Sequence, residues 1–65
     1  WTDGALREKY VELLSKGWIK SQRAFILRYP VNQGNFSTYI NHNRGGPAPR
    51  TALRNWAKDG FPRLI

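Results

Sequence analysis

Along "TDGALREKYVELLSKG", residues 2–17, the apolar positions Ala5, Leu6, Tyr10, Leu13 and Leu14 recur at intervals of three and four. That spacing follows the helical period and predicts an amphipathic helix with one apolar stripe. Thr2 or Asp3 can cap its first turn, and Gly17 stands where a left-handed residue can end its last. Glu8, Lys9, Glu12 and Lys16 form an ordinary charged outer face, with Glu12 four residues ahead of Lys16 in the favourable order.

After the connector "WIK", whose Trp18 and Ile19 are expected as core anchors, Ser21 is a good N-cap for "QRAFILRY". The unbroken apolar block at 24–27 suits a buried strand as well as a short, mostly buried helix. Its surroundings favour the helix, and Pro30 stops either. "PVNQG" is turn chemistry: Pro fixes φ, Gly tolerates the left-handed region, and Asn caps. A third helix can start at Asn32 or at Asn35, with Phe36, Tyr39 and Ile40 on its inner face and Ser37, Thr38 and Asn41 outside. Arg44, Gly45, Gly46 and Pro47 are expected to end it. Pro49 suits the first turn of a fourth helix, "RTALRNWAK", in which Leu53, Trp56 and Ala57 repeat the inward pattern. Gly60 and Pro62 close that helix, and Phe61, Leu64 and Ile65 are expected to fold back on the bundle. The pattern therefore predicts an all-α fold, a small bundle of about four helices with a central helix-turn-helix, as a single domain over residues 1–65.

Composition narrows this further. The chain has 65 residues, so it holds one core, and a domain of that size buries only about 60% of the surface its unfolded chain exposes. Without Cys there is neither a disulfide nor a thiolate metal site, so stability rests on packing of the aromatic and aliphatic residues. No apolar run approaches the roughly 18 residues of a membrane span. The chain opens at Trp1 and lacks Met, which suggests a part of a longer protein, and the absence of Cys is compatible with the expected intracellular setting (nuclear if eukaryotic, in the nucleoid or cytoplasm if bacterial or phage).

The formal charge is +7, and its distribution is more informative than its sum. Between Glu12 and Asp59 there is no carboxylate side chain, whereas Lys16, Lys20, Arg23, Arg28, Arg44, Arg50, Arg54 and Lys58 all fall there. Such a segment attracts phosphates and gains affinity by releasing counterions. Within it, "NQGNFSTYINHN" at 32–43 carries no Lys or Arg but many amides and hydroxyls. A short capped helix, a turn and a second helix with a polar outer face are the outline of a helix-turn-helix, whose second helix lies in the major groove of duplex DNA. Ile26, Val31 and Phe36 are spaced to clamp the two helices together.

On this reading Asn32, Gln33, Asn35, Ser37, Thr38 and Asn41 are the candidate base-reading residues. Amides match the paired donor and acceptor on adenine, and hydroxyls bond either kind of group. Lys20, Gln22, Arg23, Arg44, Arg50 and Arg54 are the candidate phosphate-binding residues on the flanks. Gly45 and Gly46 can turn the chain or admit a phosphate, and the turn is the simpler role. His42 is the only His, so a metal site lacks its partners, and the four carboxylates form no acid–base pair. No active site, metal or cofactor is expected.

At Gln22, Val31, Asn32 and Phe36 the chain resembles the helix-turn-helix domains of the Cro and lambda-repressor-like superfamily. Those domains have Gln at the start of the second helix, an apolar turn residue followed by a cap, and an apolar clamp five positions on. The stretch "RGGPAPRTALRNWA" is similar to the loop and following helix of that family. Two positions depart from the pattern: Ile26 replaces a usual Ala, and Pro30 a usual Gly. Because Pro cannot supply a positive φ, the turn is expected to differ, with lengthening through Gly34 to a cap at Asn35 as one solution. Homeodomain-like helix-turn-helix domains of transposases are the close competitor. The resemblance implies sequence-specific binding of double-stranded DNA by a transcriptional regulator, with a dimer or a second DNA-binding domain to complete the site. The alternatives are a transposase or recombinase DNA-binding domain, a basic helical RNA-binding module, and a helical module for an acidic protein partner.

Overall fold

The computed structural model describes residues 1–44 and 46–65; Gly45, with its expected part in ending the third helix, lies outside the described residues. Among the described residues the chain forms α1 (Asp3–Ser15), α2 (Gln22–Arg28), α3 (Gln33–His42) and α4 (Pro47–Lys58). The fold is all-α, as the periodicity predicts, and no described helix is long and apolar enough to cross a membrane.

Local chemistry sets the helix ends. Thr2 Oγ1 accepts the Ala5 N–H at 3.1 Å and caps α1, and Ser21 Oγ accepts the Ala24 N–H at 3.1 Å and caps α2. α1 ends in a left-handed Gly17 (φ +82°), with the Gly17 N–H donating to Leu14 O and the Trp18 N–H to Leu13 O. α4 ends the same way: Gly60 has φ +88°, its N–H donates to Ala57 O, and the Phe61 N–H donates to Trp56 O. Both are Schellman motifs, which satisfy carbonyls that a helix end would otherwise leave free. Phe61 is itself held at φ +56°, a costly conformation for a bulky residue. Its ring sits edge-on to Trp56 at 4.8 Å, the packing that offsets the strain.

The interior is an aromatic cluster. Phe25 of α2 stacks on Phe36 of α3 at 4.9 Å, and Tyr10 of α1 presents its edge to both, at 5.1 and 5.0 Å. Trp56 of α4 meets Phe25 edge-on at 5.7 Å, and Leu6, Leu13, Ile19, Tyr29, Tyr39, Ala52 and Leu53 complete the core. Each such aromatic pair adds about 0.5–1.5 kcal/mol beyond area burial, which matters in a domain with so little interior. The Tyr10 and Tyr39 hydroxyls are buried with no hydrogen-bond partner among the described residues. Tyr29 differs, donating to Asp59 Oδ2 at 2.7 Å; burial, then that bond and the Asp59 charge, raises its pKa against the opposing pull of Arg28.

Several expectations are corrected by packing. Trp18 is 40% exposed and lies under the Arg63 guanidinium at 4.0 Å, whereas Ile19 is buried. The tail explains this, because Leu64 N–H donates to Trp18 O and Lys20 N–H to Leu64 O, pairing Ile19 with Leu64 as a parallel bridge. Extended backbone sends successive side chains to opposite sides, so Ile19 and Leu64 point inward while Trp18 and Ile65 point out. Ile65 accordingly does not fold back; it is 79% exposed.

In α2 the buried residue is Phe25, joined by Tyr29 at the helix's C-cap, while the expected clamp residues Ile26 and Val31 are only partly buried at the core's edge. Pro47 belongs to α4, at its first position after the N-cap Gly46, so the helix begins ahead of "RTALRNWAK" and Pro49 is buried in its first turn.

Candidate nucleic-acid interface

Residues 29–32 join α2 to α3, and two contacts fix the pair: the Phe25–Phe36 stack inside, and Gln22 Nε2 donating to Gln33 O at 3.3 Å outside. The start of α2 is thereby tied to the start of α3. Of the two possible starts for α3 the first is used. Asn32 Oδ1 accepts the Asn35 N–H at 3.0 Å, so Asn32 is the cap and Gly34 lies within the first turn instead of lengthening the loop. Pro30 is accommodated because neither Pro30 nor Val31 takes a positive φ. At its far end α3 stops at Asn43, which takes φ +57° and donates its N–H to Tyr39 O at 3.0 Å. Arg44 and Pro47 lie beyond that stop.

With Phe36, Tyr39 and Ile40 turned inward, a rotation of about 100° per residue puts Gly34, Thr38 and Asn41 on the opposite side of α3. Ser37, Asn35 and His42 form the shoulders. Gln33, Asn35 and Asn41 are exposed as expected, but Ser37 and Thr38 are half-buried. Asn41 Nδ2 donates to Ser37 Oγ at 3.3 Å, one helical turn away. The Asn32 side chain is exposed but its oxygen serves the cap. Thr38, His42 and Arg44 line a shallow depression of about 410 Å³. His42 thus belongs to this face, a role that its position four residues after Thr38 could have disclosed.

The candidate phosphate ligands divide into two groups. Lys20 and Arg23 are exposed beside Gln22, and Arg44 is exposed at the C-terminal end of α3; none is ion-paired among the described residues. Gln22 is half-buried, with its amide on Gln33 O. Arg50 and Arg54 instead converge on Asp3 at the start of α1, at 3.3 and 2.9 Å. α1 packs along α4 and brings one carboxylate to two guanidiniums, so these two expected phosphate ligands carry an internal ion pair that Lys20, Arg23 and Arg44 lack among the described residues. Arg7 was passed over in the sequence and is a neighbour of α3. Its Nη1 donates to Asn43 Oδ1 at 2.6 Å, and its guanidinium lies 5.7 Å from the Tyr39 ring centre. No local signal could have found it, since the contact joins residues 36 apart.

The resulting surface is a convex helix of uncharged donors and acceptors with cations at both ends. α3, at 10 residues, is about 15 Å long and of a girth that the major groove of B-DNA, about 12 Å wide, admits. Its chemistry suits contact with base edges between phosphate-bound flanks. No protein-family model, curated protein or solved structure matches the chain.

Proposed function

We propose that the chain is a sequence-specific DNA-binding domain of a transcriptional regulator, in which α2 and α3 act as a helix-turn-helix and α3 enters the major groove. The observation that carries this reading is the uncharged hydrogen-bonding face of α3 on a domain of charge +7. Lys20 and Arg23 stand by its beginning, and Arg44 by its end. Cations grip the sugar–phosphate backbone without regard to sequence, while amides and hydroxyls distinguish bases. The Gln22 bond to α3 and the Asn32 cap support the reading further, because they fix the helix pair that must dock as one body. The likeness at Gln22, Val31, Asn32 and Phe36 to Cro and lambda-repressor-like domains agrees with it, and a transposase or recombinase parent protein uses the same surface. One such domain covers one half-site, so a dimer or a further DNA-binding domain completes the target.

The test is selection from a random duplex pool at two salt concentrations, with a structured RNA pool alongside. Enrichment of a duplex motif, with affinity falling as salt rises, is the expected result. Tight RNA binding with no duplex motif transfers the face to an RNA-binding module. Binding to neither at physiological salt leaves an acidic protein partner and overturns the proposal.

A further inference from the structure

The residues on the α3 face are not equally prepared for reading a base. A side chain that must be ordered on binding loses rotamer freedom, so one already held by a neighbour binds with less loss and greater discrimination. Asn32 uses its carbonyl oxygen in the helix cap. Gln33 and Asn35 are exposed, and neither side chain is held as an acceptor or donor among the described residues. Thr38 is half-buried beside His42 and Arg44. Asn41 alone of the candidate amides is both exposed and anchored through its nitrogen, with Nδ2 on Ser37 Oγ at 3.3 Å.

That anchor has a chemical consequence. A primary amide nitrogen carries two hydrogens. The reading orientation is the one in which Ser37 takes the hydrogen anti to Oδ1, so that the syn hydrogen and Oδ1 remain as an adjacent donor and acceptor. Adenine presents the complementary pair in the major groove, an N7 acceptor beside an N6 donor. Guanine offers two acceptors there, which leaves Oδ1 facing an acceptor.

We infer that Asn41 is the adenine-specifying residue of this domain and that Ser37 is the positioning residue holding its amide in the reading orientation. The inference rests on the proposed DNA-binding role of α3 and adds to it the base class and the residue that selects it.

The experiment is selection from the random duplex pool by the whole chain, wild type, Asn41→Ala, Ser37→Ala and Ser37→Thr, with circular dichroism to verify folding. Wild type is expected to enrich a motif with one adenine whose replacement by guanine weakens binding about 5- to 150-fold. Asn41→Ala is expected to lose the preference at that position alone, keeping the rest of the motif and the salt dependence. Ser37→Ala, equally folded, is expected to lose part of the same preference, and Ser37→Thr, which keeps a hydroxyl, to restore it. A wild-type motif that Asn41→Ala selects unchanged overturns the inference and leaves the DNA-binding reading intact. A Ser37→Ala protein with the full adenine preference overturns the positioning role. If wild type enriches no duplex motif at either salt concentration, the DNA-binding reading itself fails, and this inference with it.

Discussion

Replacing Tyr10 with Phe removes one buried oxygen and nothing else from the centre of the aromatic cluster. The Tyr10 residue is 1% exposed, and its hydroxyl has no hydrogen-bond partner among the described residues. The ring contacts with Phe25, Phe36 and Trp56, at 5.1, 5.0 and 6.3 Å, need only the ring. A buried, unpaired polar group costs about 1–3 kcal/mol, so Tyr10→Phe is expected to be more stable than wild type by about 1 kcal/mol at pH 7. That is a sizeable change for a domain whose total stability is on the order of 3–10 kcal/mol at this length. Alkaline pH provides an independent check. Burial pushes the Tyr10 pKa up from 10.0 to about 12. A folded-state pKa raised above the unfolded value gives stability that is whole below pH ~10 and is lost as pH rises through the folded value. At about 1.4 kcal/mol per unit, the wild-type loss from this group is at most about 3 kcal/mol, and the mutant lacks it. Urea titrations followed by Trp fluorescence at pH 7, 10 and 12 measure both effects. The mutant-minus-wild-type difference cancels the contribution of Tyr29. A mutant less stable by 1 kcal/mol or more at pH 7, or a difference constant across the alkaline window, refutes the unpaired buried hydroxyl.

The remaining predictions concern packing, capping and charge. Phe36→Ala is expected to cost about 3–5 kcal/mol, a large share of the domain's stability, and to lower its melting temperature sharply, read by circular dichroism; melting like wild type would mean that α3 presents another face to the core. Asn32→Ala is expected to lower stability by about 1 kcal/mol through loss of the helix cap, and to weaken all duplexes equally. Loss of preference at one base pair with an unchanged melt would instead assign Asn32 to the DNA. Arg44→Ala is expected to flatten the slope of log affinity against log salt by about one unit. Arg50→Ala and Arg54→Ala are expected to flatten it less, because both guanidiniums share Asp3. Equal effects from all three, measured by fluorescence anisotropy over a salt series, would mean that Asp3 releases its partners on binding.

The amino-acid sequence by itself determined the helices, because their causes act within a turn or so. Apolar spacing, Thr2 and Ser21 as caps, and Gly17 and Gly60 as left-handed stops all operate over three to five residues. The same local logic identified the inward Phe36 and Tyr39 and the outward Asn41. Where two local solutions were nearly equivalent, tertiary packing chose. Asn32 was taken over Asn35 as the cap, Phe25 lies deeper than Ile26 in α2, and of the two expected anchors Ile19 alone was buried once Leu64 paired beside it. The charge pattern was the least legible feature. A cation's availability depends on which carboxylate the fold delivers to it, and Asp3 reaches Arg54 across 51 residues of chain. Sequence counts the charges; only the packing of α1 against α4 decides which of them are left for a partner.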